Sequence, residues 1–369
     1  MGGRRSLWFA LVVVVLVVAW GQPIEAQVHS NNLVGAPPAG PPVGSPGAII
    51  DNGTIQLGVV DEGQLNEPGT VPSVCNGTTY VGLRYIPTNA DGTSPGCLCE
   101  GWGVADADSG IFGGASESNA PGVANMTVES FTFDATTATS VVNVVDTFRV
   151  THAYRPSVTP NLYECEVTIE NISGSDLLDI RYTRAMDWDI EPSYFDEYVT
   201  IQGTAAATAV LYSDDDGFQN VNPLSTDRSP IVAGSIGDFV DSGPSDHGAL
   251  FDFGFGPLAA GDSTSFFIYY GAAGNEADAL AALGAVSAEV YSFGQVNWDG
   301  VGDPLTTCSY TGGTYGITTG EPNTFIFAFS GVGGVPIEGA AIPTTNTVGL
   351  VVFLLLITGA ALFILLRRS

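Results

Sequence analysis

Tyr163-Glu164-Cys165-Glu166-Val167-Thr168-Ile169-Glu170 alternates apolar side chains with acidic or hydroxyl ones without a break. A strand repeats every two residues. Tyr163, Cys165, Val167 and Ile169 therefore share an apolar face, and Glu164, Glu166, Thr168 and Glu170 share a polar one. Similar short runs, separated by Gly, Asp, Asn, Ser and Pro, extend in both directions. Upstream they are residues 49–60, 79–86, 126–133 and 140–153; downstream they are 177–188, 207–212, 249–255, 263–271 and 324–329. Regular strands with turn signals predict a mainly β protein, an antiparallel β-sandwich over residues 48–330. One helix interrupts the pattern. Asn275 can cap it, Asp278 stands where a capping box has Glu, and Leu280, Leu283, Val286 and Val290 recur at helical spacing. This helix is expected across a sheet edge or end. No internal repeat is visible, which disfavours arrays and propellers.

The chain has 369 residues, with 39 acids against 10 bases and a formal net charge of -29. All ten bases are Arg and there is no Lys. Such a surface repels phosphate, so nucleic acid is excluded as a partner, and so is docking on anionic headgroups through a basic patch. The absence of Lys also rules out Walker-type NTPases and Schiff-base chemistry.

Both ends have a different character. Arg4-Arg5, an apolar run over 7–20 and the Gly21-Gln22-Pro23-Ile24-Glu25-Ala26 exit predict a signal peptide over 1–26, to be removed by signal peptidase. Residues 27–47 are rich in Pro and Gly and read as an extended linker. Residues 331–347 read as a spacer. The uncharged run 348–366 would reach about 28 Å as a helix, close to a bilayer core. Residues 367–369 close the chain, and Arg367 and Arg368 are expected on the cytoplasmic side. The expected location is the cell envelope or surface, with a single-pass anchor.

Ile342, Pro343 and Thr344, the apolar run and Arg367-Arg368 together resemble the IPTL/PEP-type C-terminal sorting tails of bacterial surface proteins. The resemblance covers about 28 residues, and it departs at Thr345-Asn346-Thr347. It implies processing near the motif by an exosortase-type sorting enzyme. The body from Arg149 to Gln295 is similar to an uncharacterised domain found in such proteins. Its markers are the Asn171-Ile172-Ser173-Gly174 turn, Met186-Asp187-Trp188-Asp189, Asp214-Asp215-Asp216-Gly217 and Ser245-Asp246-His247-Gly248.

Asp187 and Asp189 flank Trp188 at a predicted strand end. Residues i and i+2 point to one side, so their carboxylates converge as a hard-cation site would require. Glu191 follows closely. Three further acidic turns resemble pieces of calcium loops: Asp106 with Asp108; Asp214 with Asp216; and Asn297, Asp299 and Asp303 at positions one, three and seven. None has the closing bidentate Glu of an EF-hand, and Asp and Asn also dominate ordinary turns. Calcium is thus the one cofactor expected. There is no Gly-x-Ser-x-Gly elbow and no His-Glu-x-x-His. His247 adjoins Asp246, but neighbours on one chain seldom face each other.

Five Cys are present. In an exported chain they favour disulfides. Cys97 and Cys99 are so close in sequence that each is expected to seek a distant partner. Cys75 is expected to take one and Cys308 the other, with Cys165 a buried free thiol. The reading is a non-enzymatic surface or matrix protein with calcium sites, able to meet surface polysaccharide. The alternative is a carbohydrate-binding or carbohydrate-active domain using Asp187, Asp189 and Glu191 with Trp188, and with Trp102 and Trp298 as further stacking platforms.

Overall fold

A computed structural model describes residues 47–298, 300–309, 318 and 320–338. In chain order the first ten strands are β1 (Ala48–Asp51), β2 (Ile55–Val59), β3 (Glu67–Pro68), β4 (Tyr80–Val81), β5 (Leu83–Tyr85), β6 (Ala90–Asp91), β7 (Glu100–Asp106), β8 (Ile111–Ser116), β9 (Met126–Phe133) and β10 (Ala138–Val144). Then come β11 (Phe148–Pro156), β12 (Leu162–Asn171), β13 (Leu177–Trp188), β14 (Glu197–Gln202), β15 (Val210–Asp214), β16 (Phe239–Ser245), β17 (His247–Leu258) and β18 (Ser263–Ala273). The last elements are α1 (Glu276–Ala285), β19 (Val290–Gln295), α2 (Pro304–Thr307) and β20 (Thr324–Ser330).

The protein is mainly β, and every strand pairing among the described residues is antiparallel. The largest sheet has nine strands in the order β16-β14-β19-β20-β18-β12-β11-β10-β9, and a second has five in the order β15-β17-β13-β7-β8. A four-stranded sheet, β1-β2-β5-β6, and the small β3-β4 pair complete the set among the described residues. The five- and nine-stranded sheets meet face to face through aromatic rings, giving a sandwich-like body. Tyr182 of β13 stands edge-on to Phe266 of β18 at 5.0 Å, and Phe253 of β17 meets Phe329 of β20 at 4.8 Å. Ile55, Leu57 and Leu83 of the four-stranded sheet enter the same core.

The alternation read in β12 is real. Tyr163, Cys165, Val167 and Ile169 are buried, while Glu164, Glu166, Thr168 and Glu170 are half-exposed. Arg155 on β11 pairs across the outer face with Glu164 at 2.6 Å and Glu166 at 3.1 Å. The run 140–153 is not one strand but the hairpin β10–β11. Val145 and Asp146 turn it at φ 52° and 50°, a left-handed pair that neither Gly nor Asn announces. The run 49–60 is likewise the hairpin β1–β2.

The helix starts where its cap predicts, with the Asn275 side chain accepting from the Asp278 N–H. It ends earlier than its spacing suggests. Ser287 has φ 55°, and Val290 opens β19. Nor does α1 sit at a sheet edge. Ala279, Ala282 and Leu283 pack with Ala273, Phe293 and Ile326 on the outer face of the nine-stranded sheet.

One charged layer lies inside the core. Arg184 and Glu100 are fully buried and paired at 2.5 Å. Arg184 also donates to the Gly63 carbonyl at 3.3 Å and to the Tyr154 hydroxyl at 3.4 Å, and its guanidinium lies 5.6 Å over the Tyr270 ring. Glu100 accepts a second bond from the Leu65 N–H at 2.6 Å. Burial pushes the Glu100 carboxyl up, and Arg184 pulls it back.

Among the described residues no helix is long and apolar enough to cross a membrane. The signal peptide, the run 348–366 and the sorting residues Ile342, Pro343, Thr344, Arg367 and Arg368 lie outside the described residues.

Candidate metal centre

Strand β13 is buried along its second half and delivers Asp187 and, one step past its end, Asp189 into the interior. Trp188 between them points the other way. It is fully buried, and its indole N–H donates to the Ser292 hydroxyl at 3.0 Å. β17 pairs antiparallel with β13, with Trp188 opposite His247. The same register carried one residue further sets Asp189 opposite Asp246. Carboxylate oxygens of Asp187, Asp189 and Asp246 all lie within 4.8 Å of one another. The first two are at most 1% exposed, and Asp246 is exposed.

The surroundings are tight and acidic. The Asp187 N–H donates to the Cys99 carbonyl at 2.9 Å and the Asp189 N–H to the Gly92 carbonyl at 2.8 Å. Gly96 faces Asp189, and a Cβ there would overlap its carboxylate. Gly217 and Gly248 close on the backbone of Asp187 in the same way. Three buried oxygens, Asp187 Oδ1 and both of Asp189, have no hydrogen-bond partner. Burial pushes the Asp187 carboxyl well above the ordinary carboxylate range, and Asp189 and Asp246 add to the shift. Burial does the same to Asp189, aided by Asp246 and Asp91. The Glu197 carboxyl is also pushed up, by burial first and by Asp189 next. An unpaired buried carboxylate costs several kcal/mol, on the order of its desolvation. Like charges directly opposite on paired strands are also unfavourable. A divalent cation removes both penalties, and hard oxygens suit calcium or magnesium.

The other candidate residues are used differently. Glu191 stays out of the cluster. It accepts from the Ser73 hydroxyl at 2.7 Å and from the N–H groups of Cys75, Asn76 and Asp91. Asp214 accepts from the Tyr212 hydroxyl at 2.8 Å and the Asp216 N–H at 3.1 Å. Asp216 accepts from the Phe218 N–H at 3.0 Å and from Gln219 at 2.6 Å. These bonds stay within β15 and the turn that follows it. Asp303 caps α2 through the Leu305 and Thr306 N–H groups. Asn297 is buried and donates to Asp196 at 3.3 Å. Asp299 lies outside the described residues. Asp106 accepts from the Ser109, Leu178 and Asp179 N–H groups and so ties its turn to β13.

Trp102 is buried against His152 and Tyr182, so neither it nor Trp188 can stack on a sugar. Trp298 lines a pocket of about 290 Å³ with Asp303 and Glu321; Asp187, Asp189 and Glu191 do not line it. His247 is fully buried and meets Asp215 Oδ2 through Nδ1 at 2.9 Å, not its neighbour Asp246.

The disulfides differ from the expected pairing. Cys75 joins Cys308, 233 residues away, with Cα atoms 5.1 Å apart. Cys97 joins Cys99, with Cα atoms 5.2 Å apart. The close pair is possible because Leu98 between them takes a left-handed φ of 59° and turns both sulfurs to one side. Cys165 is buried and unpaired.

Sequence reasoning missed Asp246 as a ligand and Asp215 as the partner of His247. Both depend on which strands pair, and only a β13–β17 alignment could have found Asp246. The chain matches no protein-family model and no curated protein, so the reading of this site rests on its own geometry.

Proposed function

We propose that this is a non-enzymatic surface or matrix β-sandwich protein in which Asp187, Asp189 and Asp246 hold a calcium ion. The ion ties the end of β13 to the start of β17. The observation that carries this reading is the set of three buried carboxylate oxygens without partners. The three carboxylates bring one oxygen each to a common point, and water or further carboxylate and carbonyl oxygens would make up the six to eight that calcium takes. A dication would cancel most of their charge. Two of the ligands are buried, so the ion serves the fold first. Exposed Asp246 leaves one side toward solvent, where an acidic polysaccharide could complete the coordination. Export through residues 1–26, and anchoring or sorting through the Ile342-Pro343-Thr344 tail and Arg367-Arg368, belong to the same proposal. They would place the site where calcium is millimolar.

The test is thermal unfolding in EDTA and in millimolar calcium. A ligand at a hundredfold excess over its Kd adds about 2.7 kcal/mol. For a body of this size that is a rise in Tm of about 5 °C. Asp189→Asn should remove the response. An equal Tm with and without calcium overturns the reading.

A further inference from the structure

A second set of donors shares Asp187 with the acid site. Cys97 Sγ lies 3.5 Å from Asp187 Oδ2. The sulfurs of Cys97 and Cys99 and a carboxylate oxygen of Asp187 lie within 4.8 Å of one another. Asp187 is thus common to two ligand sets: all-oxygen with Asp189 and Asp246, and two-sulfur, one-oxygen with the cysteines. Its Oδ1 is buried without a partner, and its N–H holds the Cys99 carbonyl at 2.9 Å, which fixes the cysteine turn against the strand end. The sulfur set is masked only by the bond between Cys97 and Cys99. That bond closes a loop of one residue, so little chain entropy is regained when it opens. Cys97 is half-buried while Cys99 is 5% exposed. An attacking thiolate would therefore reach Cys97 first.

We propose that the Cys97–Cys99 disulfide is a redox gate. A dithiol reductant opens it, and the two thiolates join Asp187 as a site for a thiophilic dication such as zinc. A thiolate of the reductant bonds to Cys97 Sγ, the bond between the cysteines breaks, and Cys99 leaves as thiolate. The second reductant thiol then displaces Cys97 and closes the reductant into a disulfide. Two electrons pass to the protein, and the cysteine protons go to solvent when the metal binds. Zinc takes thiolate at about 2.3 Å and carboxylate at about 2.1 Å, so ligand atoms about 3.5 to 4 Å apart suit a tetrahedral ion. Thiolates select this class of metal over calcium. Water would fill the fourth position.

The inference does not require calcium to bind, although it shares Asp187 with that reading. The test uses the full chain and its Cys97→Ser/Cys99→Ser variant, both reduced with dithiothreitol, desalted without oxygen and titrated with cobalt(II). Because Cys75 and Cys308 are present in both proteins, only the difference is read. The expected result is a thiolate-to-cobalt charge-transfer band in the reduced parent. It should be absent from the oxidised parent and the variant, and lost when zinc is added. Asp187→Asn should weaken cobalt binding about tenfold. Equal bands in parent and variant, no band, or failure of the reductant to release two more thiols from the parent than from the variant would each overturn the inference. The calcium melting shift, measured on oxidised protein, reports on the other reading alone.

Discussion

Arg184→Met isolates the energetics of the buried charged layer. The substitution keeps much of the side-chain volume but removes the cation paired with Glu100, whose side chain has no solvent exposure. Glu100 would keep one bond, from the Leu65 N–H at 2.6 Å. The carbonyl of Gly63 would still be held by the Tyr154 hydroxyl at 2.8 Å. Removing one partner of a buried pair costs about 3–5 kcal/mol, because the other charge is left uncompensated. Glu100→Gln/Arg184→Met leaves no buried charge and should cost less than Arg184→Met alone. The sign of the pH dependence follows from the same geometry. Without Arg184 the folded-state pKa of Glu100 rises further above its unfolded value. Stability from the protonated form is then fully present below the unfolded pKa and is lost as pH rises through the folded one. The single variant should therefore lose stability from acid toward neutral pH, by up to about 1.4 kcal/mol per pH unit for one proton, whereas the double variant should not show this component. Urea unfolding across that range measures both. Equal destabilisation of the single and double variants at neutral pH would refute the argument that an unpaired charge sets the cost.

The two disulfides should differ sharply in weight. Loop-closure entropy gives an upper value of about 5 kcal/mol for the Cys75–Cys308 bridge and about 1 kcal/mol for Cys97–Cys99, from spans of 233 and 2 residues. Urea midpoints of the two double-Ser variants would rank them, and the reverse order would show that local contacts outweigh the loop. The Glu62, Glu67 and Glu117 carboxyls are each pushed up to about 7, mainly by burial. Their contribution to stability should be present below pH about 4.5 and fade as pH rises through about 7, in part screened at the half-exposed Glu67 and Glu117. Glu62→Gln should flatten part of that slope in a pH series of melting curves. An unchanged slope would show that Glu62 does not titrate on folding.

Much of the architecture is written in local pattern. The period of two in β12 identifies its buried face residue by residue, and the run 177–188 matches the bounds of β13. Such strands are legible because one face meets a core and the other does not. β7 and β8 escaped notice because Gly101, Gly103, Gly113 and Gly114 leave them without alternation. Their packing supplies what pattern does not: a Cβ on Gly103 or Gly114 would run into neighbouring backbone. The β10–β11 turn was hidden because a β-branched Val145 leads it and no Gly follows at Asp146. At the site, spacing alone brings Asp187 and Asp189 together. Asp246 and the cysteine turn join them only through pairing between distant strands, a property no window of sequence contains. Asp214, Asp216 and Asp303 show the converse. Their spacing resembles ligand loops, but their oxygens are spent on nearby N–H and O–H groups.

The position of β20 has a consequence for how the molecule comes into being. It is the last strand among the described residues, yet it lies inside the nine-stranded sheet between β19 and β18. Until residues 324–330 arrive, β16-β14-β19 and β18-β12-β11-β10-β9 are two fragments with facing open edges. A chain emerging N-terminus first therefore cannot seal its main sheet before residues 324–330 have been made. Closure waits for β20, and a chain cut before Thr324 would expose two unpaired edges ready to join those of other copies.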